Sequence, residues 1–217
     1  MEAIDNLIEE LAVLSCEQQA CFNPFADWCA SHDLPEAISI RKSNLRQYLL
    51  AQYQLGADSL WVGEAPGYNG VRRSGMYLIS EPQYEELGER LGGISFQKAT
   101  KTANKATQSS KAVWKLIQSL PTVPLTYDAF PLHSFRNTPP FVNRSPSKRE
   151  LQSTAHILEH LLEIFQPNRV IAIGRKAEYA LQYLGVKSIY VRHPSRGGGP
   201  AFEQGIKGIY GIDELPL

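Results

Sequence analysis

Apolar residues along the chain follow two periods. Ile4, Leu7, Ile8, Leu11 and Leu14 recur every three or four positions among acidic neighbours, which predicts an amphipathic helix over 2–14. Leu45, Tyr48, Leu49 and Tyr53 continue that spacing over 43–55, where Gly56-Ala57-Asp58 closes the helix. Four short, nearly unbroken apolar runs follow at 59–63, 124–129, 170–174 and 187–191, and each stops at a turn residue. Val170-Ile171-Ala172-Ile173-Gly174 is the clearest of them, apolar on successive positions as a strand covered on both faces must be. Helical stretches lie between the runs, at 82–91, around 110–119 and from Ser147 to Phe165. The last opens on Ser147-Lys148-Arg149-Glu150, the spacing of a capping box. Another helix starts at Arg175, directly after Gly174. Strands alternating with helices predict one α/β domain with a parallel sheet over residues 1–217, on which residues 1–56 pack as an acidic helical segment. Three stretches read as irregular: 70–80, the segment after the second strand that carries His133, Arg136 and Asn137, and Arg196-Gly197-Gly198-Gly199-Pro200.

Composition sharpens this picture in two places. Lys plus Arg equal Asp plus Glu at 22 each, which alone suggests no nucleic-acid partner. The balance is uneven, however. Residues 1–40 hold eight acidic residues and no Lys or Arg, so the remaining 177 carry 22 basic against 14 acidic, and 91–127 has no carboxylate at all. A basic body beside an acidic N-terminal segment suits a surface that meets phosphates. The cysteines, Cys16, Cys21 and Cys29, number three, one short of the four thiolates an iron–sulfur cube usually takes, so reduced structural cysteines and no metal are expected. No apolar run approaches the roughly 18 residues of a membrane span and no signal peptide opens the chain, which points to a soluble cytoplasmic protein.

In a parallel sheet the strand-end loops share one edge, the place where such sheets put ligands. Here those loops carry Glu64 in Gly63-Glu64-Ala65-Pro66-Gly67-Tyr68, Asp128 in Tyr127-Asp128-Ala129-Phe130, and His193 in Arg192-His193-Pro194-Ser195. A serine hydrolase elbow, a P-loop and a three-glycine dinucleotide fingerprint are all absent. What remains is a pocket of carboxylate, imidazole and backbone amides beside basic loops.

Gly63-Glu64-Ala65-Pro66-Gly67 resembles the first motif of the iron–sulfur-containing branch of the uracil-DNA glycosylase superfamily, and His193-Pro194-Ser195 resembles the second motif of that superfamily. Arg73-Ser74-Gly75-Met76-Tyr77-Leu78 is similar to the segment that supplies an aromatic platform for the base. The resemblance, over about residues 58 to 203, implies a three-layer α/β/α fold with a central four-stranded parallel sheet. It further implies a monomeric DNA N-glycosylase acting on DNA with a damaged, deaminated base, with no cofactor in a chain lacking the fourth cysteine. Carried onto this sequence, it makes Glu64 and His193 catalytic: the histidine, preferably neutral, faces the pyrimidine O2 and the glutamate handles water or the sugar cation. Ala65, Gly67, Tyr68, Tyr77, Leu78 and Asp128 would surround the base. Arg73, Arg136, Ser195 and Arg196 would contact DNA, with Phe202 as an apolar wedge or else folded back on the core.

Two positions depart from the family's pattern. Leu78 stands where an aromatic is expected. Asp128 stands where the family has Asn, and an ionised Asp can only accept hydrogen bonds, so it would repel the uracil O4 and suit an amino group. An apolar setting, with Glu64 as a like charge, would protonate Asp128 and restore one donor. Uracil is therefore expected to be a weak substrate or not the preferred base. Two rivals remain open, a catalytically silent nucleic-acid-binding protein and a small-molecule hydrolase using Glu64 and His193.

Overall fold

The structure, a computed structural model, describes residues 1–16, 20–103, 105–136 and 142–212, so Asn137 lies outside the described residues. The strands are β1 (Cys21–Phe22), β2 (Ser59–Gly63), β3 (Leu125–Asp128), β4 (His133–Ser134), β5 (Arg169–Ile173) and β6 (Ile189–Val191). The helices are α1 (Glu2–Val13), α2 (Ala37–Leu55), α3 (Val71–Ser74), α4 (Tyr84–Arg90), α5 (Gln108–Ile117), α6 (Lys148–Ser153), α7 (Ala155–Phe165), α8 (Arg175–Tyr183) and α9 (Gly199–Tyr210).

Four strands form a parallel sheet in the order β3-β2-β5-β6, with Gly63 opposite Asp128, Val62 opposite Ala172 and Ile173 opposite Val191. Every residue of β2 and β3 and four of five in β5 are buried, which requires cover on both faces and makes this a three-layer α/β/α fold. At the edge, β6 leaves Ile189 exposed. Helix α8 packs on β5 and β2, α9 on β6 and α5, and α1 on α2 and α7. Trp61, in the middle of β2, donates its indole N–H to Tyr210 Oη at 2.8 Å and meets Phe202 edge-on, which fastens α9 to the sheet.

Several expectations are corrected. The helix over 147–165 is divided at Thr154, because Ser153 Oγ and Thr154 Oγ1 both donate to Glu150 O and compete with the main-chain ladder. The glycine-rich loop ends early. Helix α9 begins at Gly199 with Pro200 in its first turn, where no N–H is needed, and buries Phe202 and Ile206 one turn apart. Within 70–80 a single helical turn, α3, carries Arg72 and Arg73 into the interior at 4 % exposure each. Cys16 and Cys21 form a disulfide, with Cα atoms 6.0 Å apart, where reduced cysteines were expected, and Cys29 is a free thiol. Among the described residues no helix is long and apolar enough to cross a membrane. Among those same residues no group of three or more His, Cys, Asp or Glu side chains is disposed to hold a metal ion.

Candidate active site at the carboxyl edge of the sheet

Parallel pairing brings the ends of all four strands to one edge. Beyond the Gly63 and Asp128 pair the ladder runs one step further, with Ala129 N–H donating to Gly63 O at 2.9 Å and Phe130 N–H to Glu64 O at 3.1 Å. Glu64 and Asp128 are thereby held at adjoining strand ends. His193 follows β6, two strands from β2, a lateral separation of about 10 Å at ~4.8 Å per strand. The end of β5 stands between them, and it is a glycine. Gly174 has φ +92°, and a Cβ there would lie 3.0 Å from His193 Cβ, so its absence leaves room for the histidine. A cleft of about 680 Å³ results, lined by Glu64, Ala65, Gly67, Leu78, Asp128, His193, Ser195 and Arg196 among others.

The tautomer of His193 can be read from its partners. Nδ1 accepts from the Ser195 backbone N–H at 3.1 Å and faces the Ser195 hydroxyl at 2.7 Å. A backbone N–H can only donate, so Nδ1 carries no proton and the neutral ring holds its proton on Nε2. Burial draws the ring's pKa below the ordinary 6.5, helped by Arg192 and Arg196 and opposed by Glu64. A neutral imidazole with an Nε2–H donor is the state this geometry favours at neutral pH. Ser195, expected at the DNA, supplies the amide and hydroxyl that set this orientation.

Asp128 lies on the cleft floor at 1 % exposure, and its Oδ1 finds no hydrogen-bond partner among the described residues. Burial first, and the nearby Glu64 second, push its carboxyl well above the usual carboxylate range. It rests directly over Gly63, where a Cβ would come within 2.2 Å of Oδ1. Glu64 itself is half-buried and accepts a hydrogen bond from Ser145 Oγ at Oε1. Leu78 supplies an aliphatic wall beside Asp128 from a left-handed backbone, φ +59°, uncommon for a residue with a side chain. The flanking peptides hold it there: Thr126 Oγ1 donates to Tyr77 O at 2.7 Å and Ser74 Oγ to Ile79 O at 2.8 Å.

Other sequence-predicted residues are placed elsewhere. Tyr77 is buried against Tyr127, ring centroids 4.4 Å apart, rather than facing the cleft. Tyr68 turns its phenol to His32, and its backbone N–H is taken by Asn143 Oδ1 at 3.0 Å, so that amide does not address a base in this structure. Arg73 donates to Thr102 Oγ1 at 2.7 Å from inside the protein instead of reaching outward. Phe202 is 1 % exposed in the contact with Trp61, so the wedge role gives way to core packing. Arg136 and Arg196 are exposed, and Arg196 lines the cleft.

Asn143 and Ser145 are among the cleft residues that went unnoticed in the sequence. Asn143 Oδ1 also accepts from His133 Nε2 at 2.9 Å, while Arg72 Nη1 donates to His133 Nδ1 at 3.0 Å. Asn143 thus clips its own loop to the Tyr68 loop. Both residues are small polar side chains in an irregular segment, a signal no different from that of any solvated loop.

No protein-family model and no curated protein matches the sequence. Among solved structures, the crystal structure of wild-type Pedobacter heparinus SMUG2 matches with a TM-score of 0.64, covering 96% of this chain and 95% of that one at 16% identity. At that identity the likeness is one of fold. Taken with the β3-β2-β5-β6 sheet, it shows that this chain and that protein share a three-layer α/β/α fold.

Proposed function

We propose that this protein is a monofunctional DNA N-glycosylase that admits a flipped, deaminated base to the cleft and hydrolyses its N-glycosidic bond. The observation that carries the reading is His193, locked as an Nε2–H donor at the strand edge that also bears Glu64. The likeness of fold to SMUG2 and the resemblance of Gly63-Glu64-Ala65-Pro66-Gly67 and His193-Pro194-Ser195 to glycosylase motifs support it. A base stacked in a duplex is out of reach of such an edge, so the nucleotide must be flipped outward. Breaking the bond leaves its electron pair on the base and positive charge on the sugar. His193 Nε2–H stabilises the oxygen on which the negative charge gathers. Water adds to C1′ and gives its proton to Glu64, oriented through Oε1 by Ser145, and the released base anion is protonated by solvent. Lys176, Arg192 and Arg196 at the cleft are the candidates for backbone phosphates.

The test is release of modified bases from a panel of labelled single- and double-stranded oligonucleotides, with Glu64→Ala and His193→Ala alongside. Removal of one base, reduced about 10²–10³-fold in His193→Ala, is expected from loss of a transition-state donor. Binding without release from any oligonucleotide would instead indicate a silent DNA-binding protein. A second reading is favoured by the burial of Phe202, which leaves no wedge there, and by the cleft volume, which falls in the range of about 300–1,000 Å³ typical of small-molecule sites. It is a nucleoside-cleaving hydrolase. Salt separates the two, because binding through phosphates weakens steeply as salt rises and binding of a neutral nucleoside does not.

A further inference from the structure

Asp128 takes no part in the water addition or in the donation from His193. It stands at the end of β3 with its carboxyl over the bare Cα of Gly63, walled by Leu78, and at the floor of a cleft otherwise open to solvent. Neither surroundings nor partners suit an anion. Among the described residues, Glu64 beyond β2 is the charged group acting on it, and Asp128 in turn helps raise the buried phenols of Tyr127 on its own strand and Tyr77 from the loop after α3; none of the three is a cation. Oδ1, out of solvent over Gly63, finds no donor among the described residues, so nothing on that side compensates a buried charge.

From this geometry we infer that Asp128 works as a neutral carboxylic acid whose O–H donates to a ring carbonyl of the departing base. The site would then favour oxo-substituted bases, whose leaving anion spreads charge onto that oxygen. The inference deepens the glycosylase reading and rests on it for the departing base. Burial and Glu64 keep the proton on Asp128, the condition the donor needs. A neutral acid offers one donor and one acceptor, the same pair of groups an Asn side chain offers, whereas a carboxylate offers acceptors alone and would oppose the growing charge. His193 and Asp128 then serve as two donors to one anion, the first from the end of β6 and the second from the end of β3.

Two measurements test this. In the first, the Asp side-chain carboxyl carbons are labelled with ¹³C, the Asp128 signal is assigned by its loss in Asp128→Asn, and free uracil is added at pH 7. The expected result is a protonated carboxyl whose signal shifts with uracil. An ionised signal at pH 7, or a protonated one that uracil leaves unmoved, overturns the inference. In the second, base release is followed against pH for wild type, Asp128→Asn and Asp128→Ala. Wild type should lose activity about tenfold per pH unit above the carboxyl's titration. Asp128→Asn, which keeps a donor that cannot ionise, should lack that limb and exceed wild type on the alkaline side, while Asp128→Ala is slow throughout. Wild type and Asp128→Asn sharing one alkaline limb overturns the inference. If no oligonucleotide releases a base while uracil still moves the protonated Asp128 signal, the glycosylase reading falls and the donor assignment stands.

Discussion

Gly63 is where the fold and the site constrain each other most tightly, and alanine there should be costly. A methyl added at position 63 would sit 2.2 Å from Asp128 Oδ1 and 2.7 Å from Leu78 Cδ2. Neither neighbour can yield freely. Asp128 is the register partner of Gly63, and Ala129 N–H holds Gly63 O at 2.9 Å, so the two strand ends cannot part without losing the ladder. Leu78 sits in a left-handed backbone pinned on both sides by the Thr126 and Ser74 hydroxyls. Overpacking of this kind costs about 1–3 kcal/mol, and two blocked neighbours argue for the middle of that range, about 2 kcal/mol. With a urea slope of about 2 kcal/mol per molar, the unfolding midpoint should fall by about 1 M. Gly67→Ala is the matched control, because its nearest atom, Asn143 Nδ2, is 3.4 Å from the new Cβ. That variant should unfold at the wild-type midpoint or slightly above it, since alanine reduces the freedom of the unfolded chain. Equal midpoints for Gly63→Ala and wild type would refute the close packing of Asp128 against β2, and with it the reason given for the acid's burial.

Three further outcomes follow from the same structure. Ser195→Ala keeps the backbone N–H that fixes the His193 tautomer and loses only the hydroxyl, so base release in single-turnover assays should drop about fivefold, as for one hydrogen bond of about 1 kcal/mol; a loss as large as that of His193→Ala would show that the hydroxyl does more than orient. Phe202→Ala should cost about 3–5 kcal/mol in denaturant unfolding as a core truncation, whereas unchanged stability with weakened DNA binding would restore the wedge. His133 is buried among Arg72, Asn143 and Arg144, and burial chiefly lowers its pKa from 6.5 to about 4. The unfolded chain therefore binds a proton that the folded one refuses, so stability is full above about pH 6.5 and falls on acidification until about pH 4, by about 3 kcal/mol. His133→Gln should flatten that part of the stability curve measured by urea unfolding, and an unaltered slope would count against the buried neutral ring.

Much of the sheet was legible in the sequence, because a doubly covered strand needs apolar residues on successive positions and both 59–63 and 170–174 show them. The strand-end positions of Glu64, Asp128 and His193 were legible for the same reason, since a parallel sheet sends its loops to one edge. Side-chain direction was not. Tyr77, Arg73 and Phe202 have residue types common at DNA surfaces, yet each is turned inward by contacts distant in sequence: Tyr127 for Tyr77, Thr102 for Arg73 and Trp61 for Phe202. The break at Thr154 was hidden as well, because apolar spacing runs through it and only the hydroxyl bonds to Glu150 O divide the helix.

Two glycines set the chemistry of this edge. A side chain on Gly63 would displace Asp128 from the floor of the cleft, and one on Gly174 would push against His193. Their absence lets an acid sink out of solvent on one side and an imidazole sit over the end of β5 on the other, with Glu64 between them on the central strand. Burial acts on both groups in opposite senses of proton affinity and toward the same charge. It raises the proton affinity of Asp128 and lowers that of His193, so both are drawn toward the neutral form in which each can donate. Glu64 is the member left half in solvent. On the proposed reading, a floor rich in donors beside a carboxylate reachable by water is what departure of an anionic base from a cationic sugar asks of a site. That arrangement follows from how deeply each strand end is covered, and a side chain placed at Gly63 or Gly174 would undo it without replacing Glu64, Asp128 or His193.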